Sequence, residues 1–417
     1  MRFTFLGGAQ EVGRSAVKLE SQGSVIVFDL GVQVSEPPKY PELPDYADSL
    51  VLSHAHLDHS GMAPALYKRQ SLPVYGTKLT LQLSHILQED SLKVTELRGF
   101  PLPYRKKDIE DCMKGDIAVD YLKPRNVHKG VRMEFHDAGH IPGSSSILLE
   151  LEGKRVLYTG DINNKDTRLL KGAEVPECDI IVLESTYGDR LHPNRKDSEG
   201  DLIKAISDTV DNDGVALLPV FSVGRSQEIL MVLEDLNVPI YLDGLARLAS
   251  KIIVGNGQFV RDLDALERAV NNSVWIEHDR QRSEVVSEPC VILTTAGMLN
   301  GGPVVQYLRM LGGSSRNSVL LTGYQVEGTN GRMLVETGHV VDPDSNRKVR
   351  IQANVRQFDF SAHADQNGLL EIVERAGPED VILTHGSPQS IKALKDKLES
   401  KGGFKVHAPV LGDRLDI

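Results

Sequence analysis

The stretch "VLSHAHLDHSG" (residues 51–61) decides how this chain is read. It places His54, His56, Asp58 and His59 within six positions, after the apolar run "SLVLS" and ahead of the helix-compatible "SGMAPALYKR". All four side chains therefore belong to one strand-to-helix loop. Alternating His54 and His56 point to one side, while Asp58 and His59 turn toward an adjacent point, which suits two cations better than one. With 13 histidines in the whole chain, this density marks a metal site. Imidazole and carboxylate ligands without sulfur favour zinc, then manganese or iron, and leave room for a bound water.

Working outward from that loop, short apolar runs recur and end in polar or glycine residues: "VIVFDLG", "RVLYTGD", "DIIVLES", "CVILTTAG" and "DVILTHG". Such runs read as buried strands feeding loops that carry function at their carboxyl ends. Helical patterns lie between them, as in "TLQLSHILQEDSLKV" and "QSIKALKDKLES", so the fold class is α/β. The strand ends supply the missing ligands: His140 in "DAGHIPGSS", Asp161 in "VLYTGD" and His385 in "VILTHG". A carboxylate at a strand end has two oxygens, one for each cation, and Asp161 is the expected bridge. Asp29, in the same kind of position, is expected to orient a ligating histidine or the metal-bound water from behind the ligands.

Composition narrows the class. A chain of 417 residues, 40% hydrophobic and 25% charged, is an ordinary globular one, and at about 100 to 200 residues per domain it holds two or three folding units. No stretch approaches the roughly 20 apolar residues of a spanning helix, and "MRFTFLGGAQEVG" lacks a signal-peptide core, so a cytoplasmic protein with no membrane partner is expected. The isolated Cys112, Cys178 and Cys290 suggest neither disulfides nor a thiolate site. A net charge of -11 argues against a dedicated basic nucleic-acid binder, although bound cations would let an acidic chain hold an anionic substrate. The polar stretches 185–200 and 340–350 are candidate crossings between domains, which makes the segment between them an insertion.

Taken in order, "HAHLDH", "AGHIPGS", "TGD" and "THG" resemble the ligand motifs of the metallo-β-lactamase fold. The segments "ESTYGDR", "VGRSQE", "TTAGML", "GYQVEGTNGR" and "FSAHAD" resemble the β-CASP nucleases of that superfamily, above all the short archaeal and bacterial relatives of the cleavage and polyadenylation specificity factor endonuclease subunit. The resemblance implies a four-layer αββα sandwich in two parts, residues 1–188 and 349–417, with a β-CASP cap over 189–348. It implies two zinc ions, the first on His54, His56 and His140, the second on Asp58, His59 and His385, with Asp161 between them. It also assigns His363 as the general acid for the leaving oxygen, kept in place by Glu184.

Two zinc ions can lower the pKa of a shared water and neutralise charge on a phosphodiester. If a cap closes over the site, a duplex is too wide to enter and the substrate is single-stranded RNA. Arg225 and Arg332 are candidate phosphate contacts, since a guanidinium fork matches phosphate oxygens. RNase J enzymes carry a glycine and a serine where Ala362 and Asp365 stand, which favours endonucleolytic cutting over 5′ to 3′ exonuclease action. An inactive scaffold in a processing complex is the non-enzymatic alternative. No KH module ahead of the core and no RNase J-type extension behind it is expected, so further RNA recognition falls to partners. The terminal "APVLGDRLDI" is read either as packing on a second subunit of a homodimer or as a last strand of its own sheet.

Overall fold

The computed structural model describes residues 1–128 and 130–417. The chain divides into two compact units, Met1–Asp166 with Lys171–Leu191 and Ala362–Ile417, and Thr167–Leu170 with His192–Ser361.

Among the described residues, the first unit is built on two seven-stranded sheets. One runs in the order Arg414–Asp416, Arg2–Gly7, Ala16–Ser21, Ser24–Phe28, Ser49–Val51, Val74–Gly76, Asp116–Ala118. The other runs Lys405–His407, Asp380–Thr384, Ile180–Glu184, Lys154–Tyr158, Ser145–Leu151, Val131–Asp137, Arg125–His128. Phe3, Phe5, Phe28 and Val17 of the first sheet meet Phe135, Ile147, Leu149 and Val156 of the second in a buried layer. Each sheet is covered on its outer face by helices. Leu369, Ile372, Val373, Leu394 and Leu398 of the helices Gln366–Ala376 and Pro388–Lys401 pack on Leu157, Ile181, Leu183 and Leu383. Ala63, Leu66, Leu81 and Ile109 cover Leu50, Leu52 and Val74 on the other side. This is an αββα sandwich, in which strands buried on both faces read as unbroken apolar runs. The C-terminal segment is an edge strand of its own first sheet, with Phe3 opposite Leu415.

The second unit has a six-stranded parallel sheet in the order Val274–Trp275, Ile240–Asp243, Cys290–Thr294, Val215–Pro219, Ser318–Leu321, Asn354–Gln357. It extends to Ser361 because Asn354–Gln357 pairs in register with Ser318–Leu321. The polar stretch 340–350, a candidate crossing in the sequence, forms the hairpin His339–Asp342 and Arg347–Arg350 within this unit. All three cysteines are free and buried. No helix among the described residues is long and apolar enough to cross a membrane.

Candidate metal centre

In the first unit, Asp29, His54, Asp161, Glu184 and His385 each stand at or just past the carboxyl end of a strand, and His140 follows Val131–Asp137. Parallel neighbours therefore bring them to one edge of the sandwich. The loop from Val51 turns at once into the short helix Leu57–Ser60, whose position depends on a glycine: a Cβ on Gly31 would lie 1.7 Å from the Asp58 carbonyl oxygen. The glycine-rich stretch 7–15 borders the same loop. Ser15 N donates to Asp58 O at 2.8 Å, and His385 N donates to Gly8 O at 2.7 Å.

Asp161 is the centre of the cluster. Its Oδ2 lies 3.6 Å from His54 Nε2 and 3.7 Å from His140 Nε2, and its Oδ1 lies 3.2 Å from His59 Nε2 and 3.0 Å from His385 Nδ1. Each oxygen thus faces a different pair of histidines. His54, His56, His140 and Asp161 form one group with ligand atoms within 4.8 Å of one another; His59, Asp161 and His385 form a second, and His54, Asp58 and His59 a third. Asp58 Oδ2 stands 3.5 Å from His385 Nε2.

The ring orientations are set from behind. His59 Nδ1 donates to Asp29 Oδ2 at 2.7 Å, and His140 Nδ1 donates to the Ala362 carbonyl at 2.9 Å, so in both rings Nε2 is left for a ligand role. Asp29 also accepts from Ser53 N and Oγ, both at 2.7 Å, and from Tyr158 OH at 2.8 Å. Both Asp29 and His385 hold left-handed backbones, φ 55° and 48°, a strain that folded surroundings must support. Ser53 and Tyr158 were not singled out in the sequence. Ser53 precedes the first histidine and could have been suspected; Tyr158 reads as one more apolar strand residue.

These residues fit a cation. His54 Nε2, Asp161 Oδ1 and His385 Nε2 are buried with no hydrogen-bond partner among the described residues, a costly state unless something else meets them. The charge balance agrees. Burial alone would lower the pKa of His59 and His385, yet Asp161, with Asp29 for the former and Asp58 for the latter, raises both, His385 to about 10. The carboxylates therefore call for positive charge in the pocket. Burial first, then the neighbouring imidazoles, hold His54 and His140 in the neutral form that binds metals.

His363 lies beside the cluster. Its Nδ1 is 2.9 Å from Glu184 Oε1, its ring centroid is 4.6 Å from that of His140, and its side chain keeps 19% of its surface exposed. Glu184 Oε1 also accepts from Ile162 N at 2.8 Å, next to Asp161 in the chain. Burial opposes protonation of His363, but Glu184 and Asp161 outweigh it and hold its pKa above the ordinary histidine value. The other two expected residues belong to the second unit. Arg225 Nη1 donates to the Thr322 carbonyl at 2.5 Å, and Arg332 is paired with Glu336 at 2.6 Å on its own helix. Most of the remaining histidines are paired elsewhere: His85 with Asp116, His128 with Ser49, His136 with Glu134, His192 with Asp359, His339 with the Thr337 carbonyl and His407 with Asp380.

The sandwich and its histidine–aspartate edge define a metal-dependent hydrolase of the metallo-β-lactamase superfamily, whose domain matches residues 19–184. Residues 226–334 match the Beta-Casp domain and 348–409 the Zn-dependent metallo-hydrolase RNA specificity domain. The chain is 38% identical over the full length of both chains to a probable RNase, MJ4, of Methanocaldococcus jannaschii. It is 37% identical to RNase aCSPSF2 of Saccharolobus solfataricus, over 99% of this chain and 84% of that one. A protein of unknown function from Enterococcus faecalis V583 shares the fold, with a TM-score of 0.63 and 16% identity over 99% of each chain. The chain belongs to the β-CASP family of metallo-β-lactamase-fold ribonucleases.

Proposed function

We propose that this chain is a two-zinc endoribonuclease that hydrolyses single-stranded RNA in the cytoplasm, in RNA processing or decay. The observation that carries the reading is the pair of ligand groups sharing Asp161, with the His363–Glu184 pair directly alongside. In this reading His54, His56 and His140 would hold one zinc, Asp58, His59 and His385 would hold the other, and Asp161, with one oxygen toward each group, would serve both. Bound there, the ions would supply a hydroxide nucleophile near neutral pH and neutralise charge on the phosphate. Protonated His363 gives its Nε2 proton to the departing oxygen, while Glu184 accepts the Nδ1 hydrogen and keeps the ring charged and oriented beforehand. Asp29 holds His59 in one tautomer throughout.

Endonucleolytic cutting is favoured by Asp365. Its carboxylate caps the helix Gln366–Ala376 by accepting from Gly368 N at 2.8 Å, so a negative group already occupies the helix end that a 5′ phosphate would need. Arg332 is assigned a phosphate contact in exchange for Glu336, since an exposed ion pair is worth only about 0 to 1 kcal/mol. Three free, buried cysteines accord with a reducing compartment. Recognition of particular RNAs is assigned to a second copy of the chain or to a processing complex.

Circular single-stranded RNA tests the proposal, because it offers no end. Zinc-dependent cutting of the circle supports it. A resistant circle alongside rapid loss of 5′-monophosphorylated linear RNA would make the chain a 5′ to 3′ exonuclease, and no cutting of either by the zinc-loaded chain would leave a scaffold.

A further inference from the structure

The parallel sheet of the second unit has a point where its connections diverge. From Val215–Pro219 the chain leaves toward Ile240–Asp243, two places to one side, while from Ser318–Leu321 it leaves toward Asn354–Gln357 on the other. These two strands are neighbours, with Leu217 opposite Val319. In open parallel sheets, ligands bind in the crevice beyond the carboxyl ends of two such strands, because the loops turn away from each other and leave a gap.

The loops that border this gap are 220–224 and 322–325. Each carries an aromatic ring at the surface: Phe221 and Tyr324 are both 40% exposed. Single exposed apolar residues are ordinary, but two rings on the two loops of one switch point are not scattered. The loops are held rather than loose. Arg225 Nη1 ties them together through the Thr322 carbonyl, and the Gly323 carbonyl accepts from Gln357 Nε2 at 2.8 Å. Phe221 is backed by a close backbone, since a Cβ on Gly297 would lie 3.3 Å from Phe221 N and 3.6 Å from its Cδ1. Between the loops there is room: a Cβ on Gly323 would meet nothing nearer than Arg225 Nη1, at 3.9 Å. The backbone of Gly323 is not left-handed, so conformation alone does not require a glycine there.

The charge of the gap points to the kind of ligand. Arg225 acts on the Asp359 carboxylate, which also meets His192 Nδ1 at 3.0 Å. Arg332, whose charge reaches Tyr324, is itself balanced by Glu336 and Glu327. Two cations that are each balanced by carboxylates make a poor phosphate trap and leave the two rings as the main source of attraction. A flat, uncharged π-system is the chemical class that fits, and single strands present such faces whatever their sequence.

Resting on the ribonuclease reading above, we propose that this crevice takes one unpaired base of a single-stranded RNA, stacked on Phe221 and Tyr324 over Gly323. Arg225 then serves chiefly to hold the two loops at the right separation. The second unit thereby grips a base, and single-strandedness is read by stacking as well as by access.

The test uses the full metal-loaded chain with His363→Ala, so that RNA stays intact, and measures binding of two labelled oligomers by anisotropy. One is ordinary single-stranded RNA; the other has the same phosphates but abasic sugars. The ordinary oligomer is expected to bind about 5- to 100-fold more tightly, the range for one stacked base. Phe221→Leu and Tyr324→Leu are each expected to weaken it about 5-fold or more while leaving the abasic oligomer and the salt dependence unchanged. Phe221→Trp restores binding, and Gly323→Val, which fills the floor, mimics the leucine variants. The inference is overturned if these variants bind both oligomers as the parent does, or if they lose both equally with a shallower salt slope, which would mark a charge effect. A chain that cuts circular RNA but fails here loses only this inference; a chain that binds neither oligomer loses the ribonuclease reading as well.

Discussion

Asp29 and Glu184 both end a buried strand, and both take the Nδ1 hydrogen of a histidine, at 2.7 Å from His59 and 2.9 Å from His363. What surrounds each pair makes them different tools. Asp29 is fully buried and accepts from Ser53, from Tyr158 and from His59, whose Nε2 is aimed at Asp161 at 3.2 Å. Such an imidazole has one tautomer and one orientation, which is what a metal ligand requires. His363 keeps part of its surface open, and its Nδ1 stands 4.0 Å from Asp161 Oδ2. Glu184 orients it through Nδ1 and raises its pKa while part of the ring stays open, which is what a proton donor requires. The same carboxylate–histidine pair therefore reads as ligand or acid according to what faces the other side of the ring.

Breaking the element common to both pairs should have the largest effect. Asp161→Asn is expected to weaken both metal ions together and to lower turnover beyond the roughly 10² to 10⁴-fold of a lost proton donor. Elemental analysis showing an undisturbed pair of ions in this variant would remove Asp161 from the bridge. Next, His363→Ala should lose about 10² to 10⁴-fold in turnover while retaining its metals. If it loses them, His363 belongs with His59 as a ligand and the comparison collapses. Asp29→Asn should behave in the opposite way, with metal affinity falling about 10- to 100-fold by chelator competition, as for other residues that orient a ligand.

The pH dependence separates the pairs further. His363 must be protonated to act, and its pKa lies above the ordinary histidine value, so turnover should persist below that raised pKa and fall as pH rises through it. Removing the charge that raises it moves the fall to lower pH, so Glu184→Gln should shift the alkaline limb downward. An unmoved limb in that variant would assign the proton to another group. The smallest effect is expected from Tyr158→Phe, which deletes one of the donors to Asp29 and should cost about 1 kcal/mol in thermal unfolding with the metals retained.

The candidate metal-binding residues are legible in the sequence because a metal site needs particular residue types at short spacing, and because carboxyl ends of apolar strands are where such residues stand. His54 to His59, His140, Asp161 and His385 were all chosen on those grounds and converge within a few ångströms. The Asp29–His59 bond follows from the same logic. Ser53 and Tyr158 were not legible, since neither a serine before a histidine nor a tyrosine among strand residues declares which oxygen it will reach. His363 was legible only through family resemblance. Its loop lies 179 residues from Glu184, and a histidine in a polar loop has no spacing that points to a distant carboxylate.

The sequence by itself thus determined the alternation of apolar strands and helices and the residue types of the candidate metal site, because each depends on local pattern and chemistry. Only the tertiary structure decided which oxygen of Asp161 faces which histidines, that Asn354–Gln357 belongs to the inserted sheet, and that the loops bearing Phe221 and Tyr324 follow neighbouring strands. Those facts depend on strand order, and strand order is set by burial and pairing between residues from 36 to 224 positions apart.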